Sequence, residues 1–113
     1  MIGIVFACAV LSITDGDTLR CRNGTRVRLA GVDAPEMSYR CARARRCTPA
    51  DALRSQRALA NIALGSTLRC RSVGTSYNRV VAFCSKGTLD LSCAQFATGH
   101  AVKRYAHQQK VCA

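Results

Sequence analysis

The chain has no tryptophan, and its aromatic residues are three Tyr and three Phe among 113 residues. A core of stacked aromatic rings is thereby excluded, and the interior must be filled by Val, Leu, Ile and Ala. Acidic residues are sparse as well: six Asp and Glu stand against 17 Lys and Arg, for a formal net charge of +11. That balance rules out an acidic disordered tail and makes a polyanion the leading partner. Lysine is scarce in turn. Only Lys86, Lys103 and Lys110 are present, so the other fourteen cations are arginines, whose planar fork meets phosphate oxygens in pairs. No apolar stretch reaches the ~18 residues of a bilayer span, and no membrane partner is expected. The apolar run from Met1 to Leu11 lacks a basic start and a cleavage site, so it reads as an edge strand rather than the remnant of a signal sequence. Repeats, linkers and a composition break are all missing, and residues 1–113 read as one domain.

Cysteine is the one abundance. Eight occur, at positions 8, 21, 41, 47, 70, 84, 93 and 112, and no two form a C-x-x-C. The strongest zinc and thioredoxin patterns are therefore excluded, and a disulfide framework of up to four bridges is left, with 105 formal connectivities. Such a framework belongs in an oxidising compartment, so a secreted or periplasmic location is expected, with any signal sequence missing from this chain. Pairing of neighbours along the chain gives Cys8–Cys21, Cys41–Cys47, Cys70–Cys84 and Cys93–Cys112. Cys70 and Cys84 lie symmetrically about Tyr77 in a hairpin, whereas Cys8 and Cys21 on the first hairpin need a bulge if its turn centres on Gly16.

Alternation predicts strands over 4–14 and 17–22 around Asp15-Gly16, then 26–32 after Asn23-Gly24. A three-residue loop, Asn23-Gly24-Thr25, pairs Cys21 with Val27 and Leu19 with Leu29. It also opposes Arg20 to Arg28 and Arg22 to Arg26, which is unfavourable unless an anion sits among them. Residues 37–48 read as a loop. Thr48-Pro49-Ala50-Asp51 is a helix start, and Leu53, Arg57, Ala60 and Leu64 continue that helix until Gly65. Strands follow over 66–73 and 79–84, joined around Gly74–Asn78. Asp90 can cap a second helix over 91–98, and the tail from 100 shows no period. Phe83 and Phe96 are expected in the core, Arg54 and Arg57 on an exposed helix face, and His100 and His107 in surface or structural roles. Five strands and two helices make a small α+β barrel.

Half of the six acids fall between residues 17 and 36, at strand ends: Asp17, Asp33 and Glu36. Carboxylates at turns can converge on a hard cation, although Asp-Gly turns also occur for their own Asx geometry. The two segments Asp15-Gly16-Asp17-Thr18 and Arg28-Leu29-Ala30-Gly31-Val32-Asp33-Ala34-Pro35-Glu36 together resemble the staphylococcal nuclease (thermonuclease) family. Tyr77-Asn78-Arg79, Asp90-Leu91 and the stretch from Phe96 to Ala101 extend the likeness over essentially the whole chain. Thr75-Ser76, Asn78 and His107 depart from the family pattern.

The resemblance implies a mainly β, five-stranded OB-fold barrel with two or three helices, here disulfide-stapled. It implies a Ca2+-dependent, sugar-nonspecific phosphodiesterase that cleaves DNA and RNA, single-stranded or as frayed duplex, at the 5′ P–O bond and leaves 3′-phosphate ends. A monomer is expected. Asp17, Asp33 and the carbonyl of Ala34 are the implied metal ligands, at an exposed ion site. Arg28 and Arg79 would grip the scissile phosphate, with Glu36 as general base. Tyr77 would touch a substrate phosphate and Tyr105 the nucleotide. Arg40, Arg43, Arg45 and Arg46 make a basic loop, and clustering near Glu36 makes Arg43, Arg45 and Arg46 candidates for tracking substrate phosphates. The chemistry suits these residues: charge builds on the phosphate during hydrolysis, guanidinium forks and a cation can stabilise it, and a carboxylate can take the proton of the attacking water. The rival reading is a non-catalytic basic OB-fold module that binds nucleic acid without cutting it. A membrane-active cationic protein would need an amphipathic basic helix, which the sequence does not offer.

Overall fold

The computed structural model describes residues 3–36, 49–104 and 112. In chain order its elements are β1 (Val5–Asp15), β2 (Thr18–Cys21), β3 (Arg26–Leu29), β4 (Val32–Asp33), α1 (Pro49–Ala63), β5 (Thr67–Ser76), β6 (Arg79–Lys86), β7 (Leu89–Asp90), α2 (Leu91–Ala97) and β8 (Val102–Lys103). The main sheet runs β3-β2-β1-β5-β6-β7, and a parallel pairing of β3 with β6 closes the first five into a barrel. The strand order, with α1 crossing between the third and fourth barrel strands, is that of an OB-fold. A separate ribbon joins β4 to β8.

Closure overturns one expectation at once. β1 pairs with β2 on one side and β5 on the other, so the apolar N-terminal run is interior to the sheet and not an edge. Its register against β2 shifts between Val10 and Ser12 and again between Ile13 and Asp15. Such bulges bend a long strand around a small barrel. They also supply the irregularity that the Cys8–Cys21 pairing requires.

The β2–β3 register differs from expectation by two residues. Leu19 faces Val27, Arg20 faces Arg26, and Thr18 faces Arg28. The loop is Arg22-Asn23-Gly24, closed by the Cys21 amide on the Thr25 carbonyl at 2.8 Å. A three-residue hairpin loop needs its last residue in the left-handed region, and Gly24 has φ +92°. The expected loop would have put Thr25 there. In the β5–β6 hairpin both strands are longer than expected, and the turn is only Tyr77-Asn78, with φ 48° and 63°. Positive φ at both centres is the type I′ requirement, which Asn meets readily and Tyr does not.

Helix α1 turns one face inward, burying Ala52, Ser55, Leu59 and Ala63, and leaves Arg54 and Arg57 exposed. Asp90 caps α2 by accepting from the Cys93 amide at 2.9 Å. The core is aliphatic: Val10, Leu19, Val27, Leu29, Leu59, Leu68 and Leu91 are essentially inaccessible. Half-cystines complete it. Cys8–Cys21 and Cys70–Cys84 form inside the barrel, and Cys93–Cys112 joins α2 to the tail. These three bridges, as expected from the sequence, suit an oxidising compartment. Cys41 and Cys47 lie outside the described residues. Phe83 is half-buried, whereas Phe96 is 39% exposed and carries the Lys103 ammonium 4.7 Å from its ring centre, so it is not a core residue. The extra ribbon β4–β8 was hidden in strands too short to show a period. No helix among the described residues is long and apolar enough to cross a membrane.

Candidate active site

The turn between β1 and β2 delivers Asp17 to one end of the barrel. Gly16 lets it approach α1 closely, since a Cβ there would stand 1.8 Å from the Ser55 hydroxyl. Asp17 is buried, at 5% exposure, which corrects the expectation of an exposed ion site. Its Oδ1 accepts from the Thr18 hydroxyl at 2.8 Å, and its Oδ2 accepts from the Ala34 amide at 2.8 Å. The second bond pins the segment after β4 to the start of β2, two stretches 17 residues apart in sequence.

Arg28 lies between the two aspartates. One Nη2 stands 3.4 Å from Asp17 Oδ2 and 3.5 Å from Asp33 Oδ1. Its Nη1 donates to the carbonyls of Leu29 at 2.8 Å and Val32 at 2.7 Å, so the tight turn at Ala30-Gly31 holds the guanidinium in place. Arg104, just after β8, approaches the other Asp33 oxygen at 3.3 Å. Arg79 opens β6; its Nε donates to the Ser76 carbonyl at 3.2 Å and its Nη1 reaches the Thr18 hydroxyl at 3.4 Å. Thr18 therefore links Arg79 to Asp17.

Burial pushes the Asp17 carboxyl up from its ordinary value; Arg28, the Ala34 amide and the Thr18 hydroxyl act against that, and the Asp33 charge adds to it. Among the described residues no group of three Asp, Glu, His or Cys side chains is placed to hold a metal. The oxygen donors close together are the two carboxylates, each near Arg28 Nη2. These are hard donors of the kind that Ca2+ takes from proteins, with water or ligand oxygens completing its shell.

The structure thus brings together Asp17, Arg28, Asp33, Ala34 and Arg79. Glu36 is exposed, three residues past Asp33, and Tyr77 is 89% exposed at the tip of the hairpin that starts Arg79. Tyr105, Arg43, Arg45 and Arg46 lie outside the described residues, as does His107. Two participants escaped the sequence reading. Thr18 had a visible signal, its place in Asp-Gly-Asp-Thr; Arg104 had none, because only the β4–β8 pairing brings it to Asp33. His100 has a structural part, its backbone carbonyl accepting from the buried Ser55 hydroxyl at 2.7 Å.

A closed five-stranded barrel with an arginine-bridged acid pair and a second arginine at one end defines an OB-fold domain with a polar, charged candidate site. No family model matches the chain. It is 30% identical over 107 residues to a Haemophilus influenzae protein described as an uncharacterized endonuclease, an alignment that covers 88% of this chain and 54% of that protein. The chain is similar to a protein named as an endonuclease and spans about half of its length.

Proposed function

We infer that the protein is a nuclease, a phosphodiesterase acting on DNA and RNA in the manner of the staphylococcal nuclease family that its motifs resemble. The observation that carries this reading is the convergence of Asp17, Arg28, Asp33 and Arg79 through shared hydrogen bonds at one barrel end. The likeness to a protein named as an endonuclease supports the same chemistry. The three disulfides support a secreted or periplasmic setting.

In this reading Arg79 presents Nη2 to the scissile phosphate, because its Nε and Nη1 are already held by Ser76 and Thr18. Arg28 keeps two acids and a cation in one place, so its charge is preorganised before substrate arrives. Glu36, exposed three residues past Asp33, takes the proton of the attacking water. The water oxygen bonds to phosphorus as the bond to the 5′ oxygen breaks, the departing 5′ oxygen takes a proton from solvent water, and a 3′-phosphate end remains. Asp17, Asp33 and the Ala34 carbonyl would hold Ca2+, which when bound supplies a Lewis acid to the phosphate oxygens. The buried, upward-shifted Asp17 carboxyl is consistent with a position that gains from a cation.

Incubation with single-stranded DNA and with RNA, in Ca2+ and in excess chelator, tests the assignment. Hydrolysis of both in Ca2+ alone is expected. Undiminished hydrolysis in chelator ends the calcium assignment, and binding without any cleavage returns the chain to the non-catalytic OB-fold reading.

A further inference from the structure

Strands β2 and β3 carry like charges directly opposite one another. Arg20 faces Arg26 across the ladder, and both project from the barrel, since Leu19, Cys21 and Val27 fill the alternate inward positions. The parallel pairing of Val27 with Val80 then sets Arg79 level with Arg26 on the next strand. Three arginine backbones therefore share one row across three strands spaced ~4.8 Å apart, and the Arg79 side chain leans from it to the Thr18 rung. Arg20 is half-buried and Arg26 exposed. Among the described residues, the arginines in ion pairs are Arg28, Arg54 and Arg104; neither Arg20 nor Arg26 has a carboxylate partner.

Directly opposed like charges weaken a sheet. A chain with 17 cations gains no solubility from placing two of them there. The row also has a definite position. It lies one rung beyond the Thr18–Arg28 pair on the same outer face, a step of two residues or ~6.8 Å along the strands. That step is about the distance between successive phosphates of an extended single strand, so a strand with one phosphate at the Thr18 rung, where the Arg79 guanidinium reaches the Thr18 hydroxyl at 3.4 Å, brings its neighbour to the Arg20–Arg26 pair.

We propose that Arg20 and Arg26 form a second phosphate subsite for single-stranded nucleic acid, next to the scissile position; this rests on the nuclease reading above. The two guanidinium groups share one phosphate, and its charge relieves their mutual repulsion. The subsite confers affinity for a chain over an isolated phosphodiester and takes no part in bond cleavage.

The test uses the Arg20→Gln, Arg26→Gln double variant, with Arg69→Gln, Arg71→Gln on exposed β5 positions as a control of equal charge. Binding of a labelled oligothymidylate is followed by anisotropy in chelator across a salt series. The slope of log affinity against log salt should fall by ~0.7 in the first variant, roughly a fivefold loss of affinity at 0.1 M salt relative to 1 M. The β5 control should change the slope much less. Cleavage of a one-nucleoside phosphodiester should be unchanged in the first variant, while kcat/KM on the oligothymidylate drops severalfold. The urea midpoint of that variant should equal or exceed the wild-type value at low salt. An equal slope change in both variants reduces the effect to net charge and overturns the subsite, as does an unchanged slope in the first. A lowered urea midpoint overturns the claim that the fold keeps an opposed pair for binding. A wild type that binds but cleaves nothing in Ca2+ ends the nuclease reading and leaves the salt comparison valid.

Discussion

Replacing Gly16 by Ala should damage both the fold and the site, for a steric reason alone. The backbone at Gly16 is not in the left-handed region, so no conformational penalty attaches to a side chain there. The new Cβ would stand 1.8 Å from Ser55 Oγ, 2.7 Å from Ser55 Cβ and 3.0 Å from Ala34 Cβ. Ser55 cannot simply rotate away. It is fully buried, its hydroxyl donates to the His100 carbonyl at 2.7 Å, and its own carbonyl accepts from Gln95 Nε2 at 2.8 Å. Overpacking of a core costs about 1–3 kcal/mol, and a hydrogen bond broken inside it about 1–3 more. A loss of roughly 2–6 kcal/mol is therefore expected in urea denaturation. Ala34 is pushed from the same point, and it donates the amide that holds Asp17, so nuclease activity should fall in the folded fraction as well. The compensating change is Ser55→Gly, which removes both crowded atoms. In a double-mutant cycle, Gly16→Ala should cost at least ~1 kcal/mol less in the Ser55→Gly background. Independent sites add to within ~0.5 kcal/mol, and additivity of that quality here would refute the argument that Gly16 seats the Asp17 turn against α1.

Glu36→Gln should lower turnover on DNA by two or more orders of magnitude with little change in melting temperature, because the residue is exposed; wild-type turnover would remove it from the mechanism. In chelator, Asp17 should make stability fall with rising pH. Its folded value lies above the ordinary 3.8, so its contribution is complete below that pH and is lost as the pH climbs through the raised value. Asp17→Asn should flatten that part of the urea-midpoint profile and abolish stabilisation by added Ca2+, and an unchanged profile would count against burial as the cause. Tyr77→Gly should raise stability by about 1 kcal/mol by relieving a non-glycine residue at φ 48°, while weakening oligonucleotide binding; a loss of stability would mean the ring packs usefully. Non-reducing peptide mapping should recover Cys8–Cys21, Cys70–Cys84 and Cys93–Cys112, with Cys41–Cys47 as a fourth bridge.

What could be read from the sequence was local. Pro49 and Asp51 marked the start of α1, Asp90 the cap of α2, and the spacing of Cys70 and Cys84 about Tyr77 their direct opposition in the ladder. The β2–β3 register was harder, since alternation has period two and a slip of two residues leaves every side chain on its proper face. Only the left-handed demand at Gly24 separates the two alignments. Phe96 misled because a seven-residue helix has too few turns to define an apolar face. Asp17, Arg28 and Asp33 were legible as motif residues. That one guanidinium nitrogen stands between both carboxylates was not, because it depends on the turn at Ala30-Gly31 folding β4 back beside β3.

The Cys93–Cys112 bridge differs from the other two in where it sits. Its sulfur-bearing residues are half-buried, whereas those of Cys8–Cys21 and Cys70–Cys84 are at most 2% exposed. Between Cys93 and Cys112 lies β8, which pairs with β4 and carries Arg104 to Asp33. A mild reductant therefore meets the tether of this arm before it meets the staples of the barrel. Cut at that point, the protein keeps its closed sheet and loses the covalent hold on one wall of the site. On the nuclease reading, activity and folding would then part company under reduction, the first failing in conditions that the second survives.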